Sequence, residues 1–552
     1  RRSGRGPVLR LSDLNAGDVC GRAAGDQPVC PLALDLQHLP GADRADPVDR
    51  GDLCLEGAAF QPVAGPWRGD HGLPDEAARL FAALVHSGLH PLADHRRKLA
   101  AHDAAFRWQP LDLRHAALRA DHPASDSAVS WRDPDRAAPG QAAQPGQGGP
   151  LRMTARTSAG ARMRITKVEP ISLYCPIEDE IEAPVAVPHA DETTRVIFGG
   201  YRTTLVRIET DCGLTGTGEC MVRLAPTATR AIVEDLAPLL IGRDPLDREA
   251  IWELLFAVMM NRGHNRGIFV EAVSGIDIAL WDLAGQYLGL PLYTLLGGRH
   301  HDSLDAYASS LRFRQMDEVI AQARGFVERG FRAMKIKIGR DPANPRPEIE
   351  FVAAIREAVG PDIRLMVDAN CAYGEDVATA IQVGRALQDL DIYWFEEPIA
   401  PNDLESYARL RQALDIRIAA GEADFMAFGA RDFMRRGALD IIQPNISRAG
   451  GVTEGRRIAA LARAFHIPYA PHTGSCSAVC LAATLQFAVS LPNFLIFEFM
   501  QSDWSKSQPN PFRHDLLEEP VERLENGQMV VPEGPGIGIR LNMDVVERYR
   551  VA

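Results

Sequence analysis

Between residues 304 and 499, short apolar runs rich in β-branched and aromatic residues alternate with amphipathic stretches. The runs are LDAYASS, FRAMKIKIG, IRLMVDAN, IYWFEEP, IRIAAGEA, LDIIQPN, IPYAPHT and FLIFEF. The segments between them, such as DEVIAQARGFVERG and EIEFVAAIREAVG, carry apolar residues at i, i+3 and i+4, the spacing of a helix with one buried face. Strand and helix in strict alternation make parallel βα units. Eight such units fit a closed (β/α)8 barrel of the TIM type, an α/β fold whose usual size of about 250 residues suits this segment.

The polar residues of the runs fall in phase. From Lys337 through Asp368, Glu396, Glu422, Asn445, His472 and Glu498 the intervals are 31, 28, 26, 23, 27 and 26 residues. A single strand-end carboxylate or lysine usually just meets solvent. Seven in phase place one polar group per strand around the C-terminal mouth of the barrel, where barrel enzymes carry their active sites.

Asp368, Glu396 and Glu422 stand on three consecutive strands. Three neighbouring carboxylates repel one another unless a cation lies between them, and a small set of hard oxygen donors suits Mg2+, which keeps positions open for water and substrate. In the Lys335-Ile336-Lys337 tripeptide both lysines share one strand face and point inward. Lys335 beside it and a nearby cation would ease deprotonation of Lys337, a candidate general base. His472 stands on the opposite side of the mouth as a second acid or base. The strand-end positions direct Asn370 and Asn445 toward substrate. These parts suit abstraction of a proton α to a carboxylate, with the metal accepting the developing enediolate charge.

Composition narrows the setting. With 46% hydrophobic and 24% charged residues the chain matches ordinary globular proteins. The net charge of -13 argues against nucleic-acid or anionic-membrane partners. The nine cysteines form no CxxC pair; the closest spacing is CSAVC at 476–480, so reduced thiols are expected. No apolar run of 18 residues occurs, which argues against a membrane span and favours a cytoplasmic setting.

Residues 1–162 read differently. They hold one of the five lysines of the chain and low-complexity stretches such as RDPDRAAPGQAAQPGQGGP. We expect an extension that is disordered or not part of the native product, with strand-like alternation starting only at Met163.

The motifs SGIDIALWDLAG (274–285), LLGG (295–298), KIK (335–337), DAN (368–370), FEEP (395–398), GE (421–422), PNISRAGG (444–451), PH (471–472) and FEF (497–499) together resemble the enolase superfamily, in its mandelate racemase/muconate lactonizing enzyme branch. The resemblance covers about residues 163–552. It implies an α+β capping domain over 163–290, a catalytic barrel over 291–500, and a C-terminal segment 501–552 that returns to the cap. It also implies a lid over residues 176–200, in which His189 is a candidate substrate contact. By the same resemblance Asp368, Glu396 and Glu422 hold Mg2+, Lys337 is the base on one face and Lys335 neutralises the substrate carboxylate. His472 is the opposing acid or base, and Glu498 hydrogen-bonds the enediolate. A symmetric homo-oligomer is expected.

One position departs from the pattern. Where the mandelate racemase type carries an aspartate that orients the histidine, this chain has Asn445. An amide can accept a hydrogen bond from the imidazole but cannot stabilise its cation by charge. A racemase needs two competent bases, whereas an elimination needs one base and one acid. The expectation is therefore a Mg2+-dependent lyase or isomerase: an acid-sugar dehydratase, or a cycloisomerase of a sugar lactone such as galactarolactone or of an anhydro-sugar acid such as 3,6-anhydrogalactonate. The alternatives are a racemase or epimerase of a 2-hydroxy acid on the same scaffold and, from another class, a Schiff-base aldolase using a barrel lysine.

Overall fold

The computed structural model describes residues 162–181, 191–312, 315–500, 503–505 and 507–551. Residues 1–161 of the expected extension, and His189 of the expected lid, lie outside the described residues. Among the described residues no helix is long and apolar enough to cross a membrane.

The alternation that starts at Met163 becomes strand β1 (Ile165–Pro176), which pairs antiparallel with β2 (Gly200–Thr210), itself paired antiparallel with β3 (Thr215–Cys220). The helix Ile268–Leu288 lies on this sheet and is buried without interruption from Phe269 to Gly285. A helix apolar on all sides must be covered on all sides. The sheet covers one face, and the approach is so close that a Cβ on Gly218 would lie 2.0 Å from the backbone oxygen of Gly275.

The barrel follows as β4 (Leu304–Leu311), β5 (Ala333–Lys337), β6 (Arg364–Asp368), β7 (Trp394–Glu396), β8 (Arg417–Ala420), β9 (Ile441–Ile442) and β10 (Phe497–Met500), with β4 through β9 pairing in parallel in sequence order. β10 pairs with β4 and closes the ring. The seventh run, IPYAPHT, differs from expectation: it joins its neighbours only through single bridges from Tyr469 to Ile442 and to Phe494. Pro468 and Pro471 lie within it, and neither can donate to a ladder.

Eight side chains, one from each barrel position, plug the interior: Tyr307, Ala333, Met366, Trp394, Ala419, Ile441, Ala470 and Ile496 form their own buried cluster. Because residues i and i+2 face the same way along a strand, the next inward layer toward the C-terminal end is Ser309, Lys335, Asp368, Glu396, Gly421, Gln443, His472 and Glu498. The apolar plug thus supports a polar ring, apart from the glycine just beyond β8.

The C-terminal segment does more than return to the cap. Strand β12 (Gln528–Met529), paired with β11 (Leu524–Glu525), first adds antiparallel to β4. The chain then reaches β1, where the backbone N–H of Val551 donates to the Ser172 carbonyl at 2.9 Å.

Candidate active site

Strand register sets the first neighbours. Lys337 pairs with Asp368 across β5 and β6, and Asp368 with Glu396 across β6 and β7. Glu422 enters from β8 because Gly421 turns the chain in the left-handed region at φ 118°. At that angle a side chain would be strained. One oxygen from each of Asp368, Glu396 and Glu422 lies within 4.8 Å of the others. Asn370, two residues beyond Asp368, and Glu397, directly beyond Glu396, also hold positive φ values of 44° and 38°. Backbone strain of this kind concentrates where function demands a fixed geometry.

Lys335 is sealed among the carboxylates, 1% exposed, with its Nζ 2.7 Å from Glu396, 3.1 Å from Glu498 and 3.5 Å from Asp368. Burial disfavours its charge, but Glu396 and Glu498 outweigh that and raise its pKa well above the ordinary lysine value. In this structure the charge it offsets is that of the protein's own carboxylates. Lys337 is more accessible and donates to Asp368 and to Oδ1 of Asn370, the latter at 2.9 Å.

Burial would raise the Asp368 carboxyl, but Lys337 and Lys335 prevail and hold it at about 2. Burial and the Asp368 charge together push Glu396 well above its usual range. Next to it Glu397 is driven to about 8 by burial and by Glu422 and Asp368, and its Oε1 is buried with no hydrogen-bond partner. The carboxylate cluster holds more negative charge than its two lysines compensate. A divalent cation fits this donor set on chemical grounds, being hard, oxygen-seeking and able to relieve the repulsion.

Glu498 completes the ring. Its Oε1 accepts from Ser309 at 2.8 Å, and its Oε2 accepts from the backbone N–H groups of Thr473 and Gly474 at 2.7 and 3.0 Å. Despite burial, Lys335 and His472 keep its carboxyl well below the ordinary value. His472 presents Nε2 to Glu422 at 3.2 Å and to Glu498 at 4.0 Å. Burial lowers its pKa, with Glu422 and Glu498 opposing.

Known proteins match this arrangement. Residues 184–297 match the family described as mandelate racemase / muconate lactonizing enzyme, N-terminal domain, and residues 318–545 match the enolase C-terminal domain-like family. The chain belongs to the mandelate racemase/muconate lactonizing enzyme branch of the enolase superfamily. It is 38% identical over 372 residues to the D-galactarolactone cycloisomerase of Agrobacterium fabrum, covering 65% of this chain and 94% of that protein. It is 35% identical over 382 residues to the D-xylonate dehydratase of Haloferax volcanii, covering 65% and 88% respectively. Among solved structures, the 3,6-anhydro-D-galactonate cycloisomerase of Zobellia galactanivorans superposes with a TM-score of 0.61 at 30% identity, covering 70% of this chain and 100% of that one. The protein is thus an enzyme of the lyase and isomerase kind that this superfamily contains.

In this superfamily member the family motif SGIDIALWDLAG serves docking. Ser274, Asp277 and Trp281 meet the start of the helix Gly451–Ala464: Ser274 accepts from the Gly450 N–H, and Thr453 receives Trp281 and donates to Asp277. From β3, Glu219 accepts the backbone N–H groups of Ser477 and Cys480, both at 2.8 Å, and so caps the helix Ala478–Ala488 that follows His472. Arg223, beyond β3, donates to Ser475 at 2.6 Å. The cap therefore grips the loop that carries the histidine.

Sequence reasoning singled out neither Ser309 nor Gln443. Gln443 donates to Oε2 of Glu396 at 2.7 Å, beside the Trp394 indole at 3.0 Å. Counting two residues on from each plug residue would have found both. Asn445, expected to contact substrate, is 1% exposed and sits behind His472 with its Nδ2 3.2 Å from Nδ1 of the imidazole.

Proposed function

We propose that this enzyme abstracts the proton α to the carboxylate of an acid sugar or its derivative and then expels a β substituent, as a Mg2+-dependent dehydratase or cycloisomerase. The observation that carries this reading is the row Lys337, Asp368 and Glu396, continued by Glu422 to His472 on the far side of the mouth.

Asp368, Glu396 and Glu422 would hold Mg2+, which when bound supplies Lewis-acid stabilisation of charge on the substrate carboxylate. Lys337 faces the mouth and takes the α proton. Lys335 and Glu498 fix the field behind the reacting carbon, since each is buried and ion-paired. His472 faces the departing β group from the other side.

A panel of acid sugars, their lactones and anhydro-sugar acids, assayed with and without Mg2+, tests this reading. We expect 2-keto acid formation that requires Mg2+ and disappears in Lys337→Ala. Exchange of the α proton in heavy water without elimination would transfer the enzyme to the racemases. A lysine trapped by borohydride with substrate would make it an aldolase.

A further inference from the structure

Glu219 belongs to the cap, yet its hydrogen bonds reach the loop that follows His472. It stands on β3, 1% exposed, and each of its carboxylate oxygens meets two donors. Oε1 accepts from the Thr203 hydroxyl at 3.0 Å and from the backbone N–H of Ser477 at 2.8 Å. Oε2 accepts from the Ser477 hydroxyl and, at 2.8 Å, from the backbone N–H of Cys480. Thr203 lies on β2 of the cap. The other three donors form the start of the helix Ala478–Ala488, which is buried along its whole length.

The loop between His472 and Ser477 is therefore held at both ends. At its start the N–H groups of Thr473 and Gly474 donate to Oε2 of Glu498. At its end Glu219 holds Ser477. Between these anchors Ser475 sits in the left-handed region at φ 63°, a conformation that a serine keeps only where its surroundings impose it. The loop also lies against the imidazole, since a Cβ on Gly474 would stand 2.7 Å from Nε2 of His472. A shift of the loop thus moves the imidazole together with the two N–H groups that orient Glu498. Arg223 of the cap touches the same loop through the Ser475 hydroxyl, whereas Glu219 grips its backbone.

We infer that Glu219 is a positioning residue for the reaction: from the cap it holds the 473–477 loop in its strained form, and so sets where His472 and Glu498 stand against the substrate. This rests on the elimination reading above for the parts those two residues play, and adds to it a residue outside the mouth.

Glu219→Gln is a sharp probe because each end of the carboxylate meets one backbone N–H. Whichever way the amide is turned, its NH2 group faces a donor that cannot rotate away. The variant keeps the volume of the side chain and loses the anchor at one end. Ser274→Ala is its companion. Ser274 also joins cap to barrel, accepting from the Gly450 N–H at 2.9 Å, and has no bond to the His472 loop.

Kinetics and a structure test the inference on the full chain. With the acid sugar that the native enzyme turns over, Glu219→Gln should lose about 100-fold in kcat, the cost of a misplacement of about 1 Å, while KM stays near its native value. Ser274→Ala should keep the native kcat. An equal loss of kcat in both variants would reduce Glu219 to general docking and overturn the inference. A native kcat in Glu219→Gln overturns it too, whether or not KM rises. A crystal structure of Glu219→Gln should show Ser475 out of the left-handed region and His472 displaced, and an unmoved loop refutes the inference whatever the activity. If Glu219→Gln does not fold, Thr203→Val removes one of the four donors at nearly constant shape. Its kcat should fall, and a native value there refutes the inference. If no acid sugar shows Lys337-dependent exchange of its α proton, the elimination reading fails, while the crystal structure still decides whether Glu219 positions the loop.

Discussion

Asp277 of the capping helix and Thr453 of the barrel are joined twice, by the Thr453 backbone N–H donating at 2.9 Å and the Thr453 hydroxyl donating at 2.6 Å to separate oxygens of the one carboxylate. Both residues are 1% exposed. The bond pair fixes the cap over the mouth, and it does so with a group whose ionisation is costly there.

Burial raises the Asp277 carboxyl to about 7 from an ordinary value of 3.8, with the Thr453 hydrogen bonds opposing. Between those values the folded chain holds a proton that the unfolded chain has released, so this residue costs stability as pH rises through the window, and no more above it. Asp277→Asn should therefore gain on the native chain from about pH 4 to about pH 7 and run parallel to it at higher pH. Denaturant midpoints across that range check the point. A constant difference would mean that Asp277 titrates normally. Asp277→Ala strands the buried Thr453 N–H and should be about 1–3 kcal/mol less stable than Asp277→Asn at every pH.

The three carboxylates should make the fold respond to Mg2+. Ligand that binds only the folded state adds stability by mass action, about 2.7 kcal/mol at one hundred times its Kd. The melting temperature should rise with Mg2+, fall back with a chelator, and fail to respond in Glu396→Gln. A Mg2+ response retained in Glu396→Gln would remove this residue from the site.

The barrel and its polar mouth were legible because closure imposes two regularities on a sequence: one βα unit per strand, and one inward residue every second position. Asp368, Glu396, His472 and Glu498 could be read from them, each two residues beyond a plug side chain such as Met366 or Trp394. Other features had no such period. The seventh strand shrank to a bridge at Tyr469 because prolines lie within it. Glu219 reads in sequence as an ordinary charge near a strand end, yet it is 1% exposed and caps a helix 258 residues away.

Lys337→Met should separate chemistry from assembly. Lys337 is the lysine that faces the mouth, whereas Lys335 is enclosed. The variant should lose about 100- to 10,000-fold in kcat, the range for a missing general base, and lose exchange of the substrate α proton with solvent. Its Mg2+-dependent rise in melting temperature should persist. Lys335→Met should instead lower the melting temperature without Mg2+, since it leaves Glu396 and Glu498 buried without their cation. If both variants lost only activity, Lys335 would have no part in holding the carboxylates together.

Glu498→Gln keeps the shape of the side chain but replaces one acceptor with a donor, and both ends of Glu498 face donors. The Oε2 end meets two backbone N–H groups that cannot turn away. The amide nitrogen must then point at Ser309, whose hydroxyl can rotate to accept, and at Lys335, whose ammonium cannot. Breaking that buried ion pair should cost about 3 kcal/mol. The loss should also depend on pH with a definite sign. Lys335 and His472 hold the folded carboxyl well below its ordinary 4.5 despite burial, so the stability it supplies is complete above that pH and is lost as pH falls below it. The native chain should therefore weaken on acidification more steeply than Glu498→Gln, and the two unfolding curves should converge in acid. Curves that stay parallel from pH 7 to pH 3 would show that Glu498 ionises no more readily in the folded enzyme than in the unfolded chain.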